Sequence, residues 1–155
     1  MGFFRSEKGT IISEYFKLVE PHANFLVGMM HDVQLYPDHV LIKCGKLSAE
    51  LQYSQITDVF YGMETEIVEK EHSPIARAFV GGALFGGAGA IVGAMTATQK
   101  AKKRTFYFII SYTASDNGEE KFITFEDTRL YKGAKLAKKL RELANITPPA
   151  NHTKL

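Results

Sequence analysis

Residues 74–97 read PIARAFVGGALFGGAGAIVGAMTA, and from Ala78 to Ala97 twenty residues pass without a charge. That length is nominally enough to cross a bilayer. Six of the twenty are glycine: Gly81, Gly82, Gly86, Gly87, Gly89 and Gly93. Glycine costs about 1 kcal/mol in an exposed helix, so this many of them need a packing reason. Gly82 with Gly86, and Gly89 with Gly93, form small-xxx-small pairs that let two helices approach closely. Gly82, Phe85, Gly86, Gly89 and Gly93 are therefore the residues this segment offers to a partner.

Three readings compete for the segment. A single spanning helix would set the strands before it and after it on opposite sides of a membrane, and neither half could close a sheet. A pair of short helices broken near Gly86-Gly87, inserted over about 74–99, would pack on the domain or on a second subunit. Ser73-Pro74 suits the start of such a pair, with serine as cap and proline in the first turn. A partly ordered arm docking reversibly on a membrane or partner is the third. The strands on both sides favour the inserted pair.

Those strands are read from alternation. Val33, Leu35, Val40, Ile42 and Cys44 alternate on either side of Pro37-Asp38, a turn dipeptide, and predict a hairpin. Lys46 to Tyr53 alternates again, then Ile56 to Tyr61 runs up to Gly62, and 64–70 supplies a further strand. After the glycine segment, Thr105 to Tyr112 (TFYFIISY) has the aromatic and β-branched content of a buried strand. Asp116-Asn117-Gly118 is the strongest hairpin turn in the chain, and Lys121 to Phe125 pairs back. Asp127 or Thr128 can cap a helix that runs to about Asn145, with Thr147-Pro148-Pro149 ending it before a polar tail over 147–155. Before the strands, residues 1–24 read as an N-terminal extension. In it Ile11, Ile12, Tyr15, Phe16 and Val19 fall at spacing for a short helix over 9–20 that Pro21 stops. Many short antiparallel strands followed by one helix make an α+β domain over 25–146.

A chain of 155 residues with 45% apolar and 23% charged content has the make-up of one globular domain. The single Cys44 has no partner for an intrachain disulfide and sits in a strand as a packed thiol. No signal-peptide core precedes Ser13, so a cytoplasmic location is expected, with a peripheral place at the inner face of the cell membrane if the glycine segment docks there. Charge is polarised: residues 1–71 carry 6 Lys/Arg against 11 Asp/Glu, and residues 72–155 carry 13 against 6. The basic half clusters at Lys100, Lys102, Lys103 and Arg104 and again at Lys132, Lys135 and Lys139 on the helix. Such clusters attract phosphate, from lipid headgroups or from nucleic acid. Lysine is also the ordinary way to solvate a helix. Aromatic residues are not interleaved with the helix lysines, which counts against single-strand binding.

Catalytic patterns are missing. Gly87-x-Gly89-x3-Gly93 only superficially resembles a dinucleotide loop, since no parallel strand leads into it. His22, His31, His39, His72 and His152 are scattered; His31 with Asp32 and Asp38 with His39 can meet across the predicted hairpin, but a third metal ligand is not evident. Ser73 and Ser111 have no adjacent base. No enzyme activity, cofactor, metal or small-molecule substrate is expected.

The order of elements and several phrases resemble the bacterial pleckstrin-homology-like family, itself related in shape to GRAM domains. Tyr53 with Ile56 and Val59 is similar to that family's Tyr-x-x-Ile-x-x-Val strand, Phe108 to Tyr112 to its later core strand, and Arg129 to Asn145 to its terminal helix. The stretch from Val80 to Gly93 is similar to a glycine-rich insertion found in small proteins of this type from Gram-positive bacteria and their phages. The resemblance covers about 25–145. It implies a partly open antiparallel barrel of about seven strands closed by one helix, and no single function, since such folds bind lipids, peptides or other proteins. The turn Pro37-Asp38-His39, in the place of the family's basic first hairpin, is acidic, which argues against phosphoinositide binding of the eukaryotic type. The leading expectation is an interaction module that self-associates or docks on a membrane or protein through the glycine segment and its basic neighbours. Its rivals are a phage- or mobile-element-encoded inhibitor of a host or viral protein, and a nucleic-acid binder using the lysine-rich helix.

Overall fold

The computed structural model describes residues 9–23, 25–63, 75, 105–129 and 131–146. The described strands are β1 (Ile12–Leu18), β2 (Met30–Leu35), β3 (His39–Cys44), β4 (Leu47–Gln52), β5 (Ile56–Met63), β6 (Phe106–Thr113) and β7 (Glu120–Asp127). They form one antiparallel sheet in the order β4-β3-β2-β1-β7-β6-β5. The helix α1 (Ala134–Leu143) follows, so the expected α+β architecture of about seven strands and a C-terminal helix holds.

One element differs from the sequence reading. Residues 12–18 are an interior strand, pairing with β2 from Ile12↔Leu35 to Lys17↔Met30 and with β7 through Leu18↔Phe125. The short helix over 9–20 and the detached extension over 1–24 are thereby corrected. An apolar pattern this short fits either period. Ile, Tyr and Phe favour a pleated surface once neighbours exist on both sides, and here Phe16 and Leu18 point inward while Tyr15 faces out. The Pro37-Asp38 turn is consequently the second hairpin connection, and the β1–β2 connection is residues 19–29. The expected strand over 64–70 lies outside the described residues, as do the tail over 147–155 and, apart from Ile75, the insertion expected over about 74–99.

The interior is continuous. Phe16, Leu18, Val33, Leu35, Val40, Ile42, Val59, Phe108, Ile110 and Phe125 bury together with Leu136, Ala137 and Leu140 of α1. A bulge between Ile56 and Asp58 lets both Ile56 and Val59 face this core although they are three residues apart. On the opposite side of the same strands, Phe60, Tyr107 and Ile109 form a second cluster with Val19 and Phe122 packed against it. Strand β6 is therefore covered on both faces, which is why TFYFIISY carries almost no polar alternation.

The helix is seated by polar contacts as well as by leucines. Asp127, only 3% exposed, accepts from the Arg129 amide at 3.0 Å through Oδ1 and from the Gly133 amide at 2.7 Å through Oδ2. The cap expected at Asp127 or Thr128 is corrected: α1 begins later, its N-cap is Gly133 with no capping side chain, and Asp127 instead holds the Gly133 amide from six residues upstream. At the other end of α1, Arg141 donates from Nη2 to the Val59 carbonyl and covers β5, an edge strand of the sheet.

Candidate functional site

The two ends of the glycine-rich excursion meet. Met63, the last residue of β5, pairs with Phe106, the first of β6, and pairing continues through Gly62↔Tyr107 and Tyr61↔Phe108. A chain that leaves and re-enters a sheet at one strand pair cannot make a single membrane crossing between them. The single spanning helix is thereby excluded, because its two flanks are hydrogen-bonded neighbours. Ile75, near the head of the segment, is 2% exposed and packs with Phe60, Tyr107 and Ile109 on the outer face of β5 and β6. Gly82, Phe85, Gly86, Gly89 and Gly93 lie outside the described residues, and so do Lys100, Lys102, Lys103 and Arg104. Among the described residues no helix is long and apolar enough to cross a membrane.

The helix lysines separate into two groups. Lys135 and Lys139 join Lys138 along a groove of 280 Å³ whose floor is Ile11 and Ile12 at the start of β1. Lys132, one residue before Gly133, does not line it. Lys139 lies 3.6 Å from Glu142, so part of the groove's positive charge is already balanced. An exposed pair of this kind contributes at most about 1 kcal/mol and leaves both side chains free to rearrange. The groove can hold an anionic group with an apolar neighbour.

A second concavity of 310 Å³ opens between the β1–β2 connection, β3–β4 and the β6–β7 turn. His22, Phe25 and Tyr112 form one wall, and Ile42 and Leu51 the other. Burial, followed by the charge of Lys121, pulls the His22 imidazole below its ordinary range, and its Nε2 is hydrogen-bonded with the Tyr112 hydroxyl at 2.8 Å. Gln55 is engaged at both ends, accepting from the Gln52 amide at 2.9 Å and donating to the Thr113 carbonyl at 3.0 Å. At the mouth, Glu50 and Asp116 outnumber Lys121. The arrangement suits a small apolar group and opposes a phosphate.

The histidine pairs considered from sequence do not converge. His39 Nδ1 lies 2.7 Å from the carboxylate of its neighbour Asp38 and its ring stacks on Tyr36. His31 is fully buried, its Nδ1 donating to the Met29 carbonyl and its ring set edge-on to Phe25 at 4.9 Å. Among the described residues no three His, Cys, Asp or Glu side chains cluster as metal ligands do. Sequence reasoning missed the His22–Tyr112 contact, because residues 90 positions apart carry no local signal. It also missed the β1–β2 connection as a feature, since β1 was read as helix.

A family model described as a glycine zipper containing PH domain matches residues 27–124, from the β1–β2 connection into β7. No curated protein and no solved structure matches the chain.

Proposed function

This chain belongs to the family of glycine-zipper-containing PH domains, and from that membership we propose that it is a non-enzymatic interaction module whose docking element is the glycine-rich segment. In this reading the PH-like barrel is the platform. The segment leaves it between β5 and β6, and Gly82, Phe85, Gly86, Gly89 and Gly93 form the contact surface. The partner is a second copy of the same segment, brought to the inner face of the cell membrane, where Lys100, Lys102, Lys103 and Arg104 meet anionic headgroups.

The observation that carries the reading is the meeting of Met63 with Phe106, with Ile75 buried beside them. Both ends of the excursion are fixed on a rigid strand pair, so a stretch rich in close-packing glycines is held at one place on the domain. The helix lysines carry a nucleic-acid reading less well. One of the three in the groove faces Glu142, and no aromatic side chain lines it.

Sedimentation equilibrium of the whole protein, with and without anionic vesicles, tests this. Gly86→Leu is expected to weaken self-association by at least about tenfold, since a leucine side chain blocks close helix approach. Association unchanged by Gly86→Leu and by Gly89→Leu would overturn the reading.

A further inference from the structure

The two edge strands of the sheet are treated differently. On β5, Arg141 reaches over from the helix and donates to the Val59 carbonyl. On β4, at the other end of the strand order, β3 pairs on one side and no described strand pairs on the other. An open edge offers its backbone groups to another chain, and proteins usually blunt it.

The direction of each backbone group on β4 follows from its hairpin. Gly45 and Lys46 make a two-residue turn, with Gly45 at φ +62° and Cys44 paired to Leu47. Leu47 therefore exchanges its backbone bonds with β3, and in antiparallel pairing the next residues to do so are Ala49 and Leu51. Ser48, Glu50 and Gln52 point theirs away from the sheet. The Gln52 amide bears this out, donating to Gln55 Oε1 at 2.9 Å. Gln55 donates in turn to the Thr113 carbonyl, which closes that end of the edge. Ser48 and Glu50 are exposed, and among the described residues neither has a backbone partner on the open side.

We propose that this edge takes up a short extended segment of another protein as an added strand, antiparallel to β4. Such a strand lies about 4.8 Å beyond β4. Its residues opposite Ala49 and Leu51 face inward, where the 310 Å³ concavity lined by Ile42, Leu51 and Tyr112 receives aliphatic side chains. Its residue opposite Glu50 lies on the outer face. Gln52 Nε2 donates to Glu50 Oε2 at 2.6 Å and holds the carboxylate there, which selects lysine or arginine. Exposed Lys46, in the turn at the other end of the edge, selects an acidic residue. The occupant is therefore aliphatic at alternate positions, basic toward its N-terminal end and acidic toward its C-terminal end. Backbone bonds to Ser48 and Glu50 supply affinity, and the side chains on the two faces supply specificity. A second copy of β4 suits the edge less well. Bonding Ser48 to its partner's Glu50 equivalent would set each Glu50 against a serine instead of a cation.

The test uses the whole chain labelled with nitrogen-15 and the end-blocked hexapeptide Val-Lys-Ile-Thr-Val-Glu, whose lysine falls opposite Glu50 and threonine opposite Ser48. Titration is expected to shift the amide resonances from Ser48 to Leu51, and saturation to slow hydrogen exchange at Ser48 and Glu50 by at least about fivefold. Methylating the peptide's threonine nitrogen removes a ladder bond and is expected to weaken binding by about tenfold. Methylating its isoleucine nitrogen, which points away from β4, should weaken it far less. Glu50→Lys should lower affinity by about threefold, and a peptide with glutamate in place of its lysine should restore it. Unmoved resonances at Ser48 and Glu50 would overturn the proposal, as would equal affinity for the two methylated peptides. Broadening at Ser48 and Glu50 that grows with protein concentration in the absence of peptide would assign the edge to a second copy and overturn it too. The glycine segment leaves between β5 and β6, so Gly86→Leu should leave peptide binding unchanged, and the two readings stand or fall separately.

Discussion

Tyr61 on β5 donates its phenolic hydrogen to Oδ2 of Asp127 across 2.5 Å, linking the strand before the glycine-rich segment to the residue that seats α1. The same oxygen receives the Gly133 amide, and the other receives Arg129. Burial, and then the Asp127 carboxylate, push the Tyr61 phenol well above its usual range, so the hydrogen stays on the tyrosine. Asp127→Ala would leave three donors without an acceptor in a largely buried place. A loss of about 3 kcal/mol is expected, measured by urea denaturation. Tyr61→Phe removes one donor and leaves the carboxylate with two, so its cost should be nearer 1 kcal/mol. Equal losses for the two variants would show that Asp127 does not organise this junction.

Gly133 is constrained by space. A Cβ there would lie 2.3 Å from Cε1 of Phe16 and 2.9 Å from Oδ2 of Asp127. Phe16 is fully buried between Phe108 and Phe125, with ring centroids at 4.7 and 5.8 Å, and has nowhere to move. Gly133→Ala should therefore destabilise by about 2–3 kcal/mol, and the N-cap position itself also prefers glycine to alanine. Adding Phe16→Leu removes the obstructing ring, and the double variant should be less unstable than the sum of the two single changes. Simple additivity in chemical denaturation would mean the clash is relieved elsewhere.

Stability should depend on pH through two neighbours with opposite signs. Burial raises the Glu20 carboxyl from 4.5 to about 7, and its Oε1 has no hydrogen-bond partner. The folded chain holds that proton where the unfolded chain has lost it. The contribution is full below pH 4.5 and is lost as pH rises through 7. His22 is shifted downward, so the unfolded chain takes up a proton first, and stability falls as pH drops below about 6.5. Glu20→Gln mimics the protonated acid. It should leave stability at pH 4 unchanged and raise it at pH 8 by about 1 kcal/mol, after allowance for solvent screening of a partly exposed group. A variant equally stabilised at both values would place the effect in packing.

What could be read from the sequence follows from how far each signal reaches. Strands β2 to β4 announce themselves by alternation, and the hairpins by Pro37-Asp38 and Asp116-Asn117-Gly118, all local features. The two-sided burial of β6 is legible because no polar alternation breaks Thr105 to Tyr112. Strand β1 was not legible, since Ile12, Tyr15, Phe16 and Val19 satisfy a helical spacing as well, and the deciding partners, Leu35 and Phe125, are remote in sequence. With β1 in the sheet, the first strand connection is residues 19–29, and the acidic Pro37-Asp38 turn joins the second and third strands. The helix lysines were visible as a cluster, but their sorting depended on tertiary structure. Among the described lysines, Lys135, Lys138 and Lys139 share a groove with Ile11 and Ile12.

The pairing of Met63 with Phe106 allows the platform and the glycine segment to be tested apart. Antiparallel neighbours can be joined by a two-residue turn, and Asn-Gly is the sequence best suited to it. Replacing residues 64–105 with Asn-Gly should therefore leave a sheet that folds, with β5 and β6 still paired and α1 still held by Asp127 and Arg141. It also removes Ile75 from the outer cluster, uncovering Phe60, Tyr107 and Ile109. Losing one buried isoleucine's contribution should lower stability by about 2–3 kcal/mol. The shortened protein should unfold cooperatively in urea at a lower midpoint and be monomeric by sedimentation. A chain that fails to fold even in stabilising sulfate would mean that the segment is part of the core rather than an excursion from it. A shortened protein that still self-associates would move the docking surface onto the sheet and its helix.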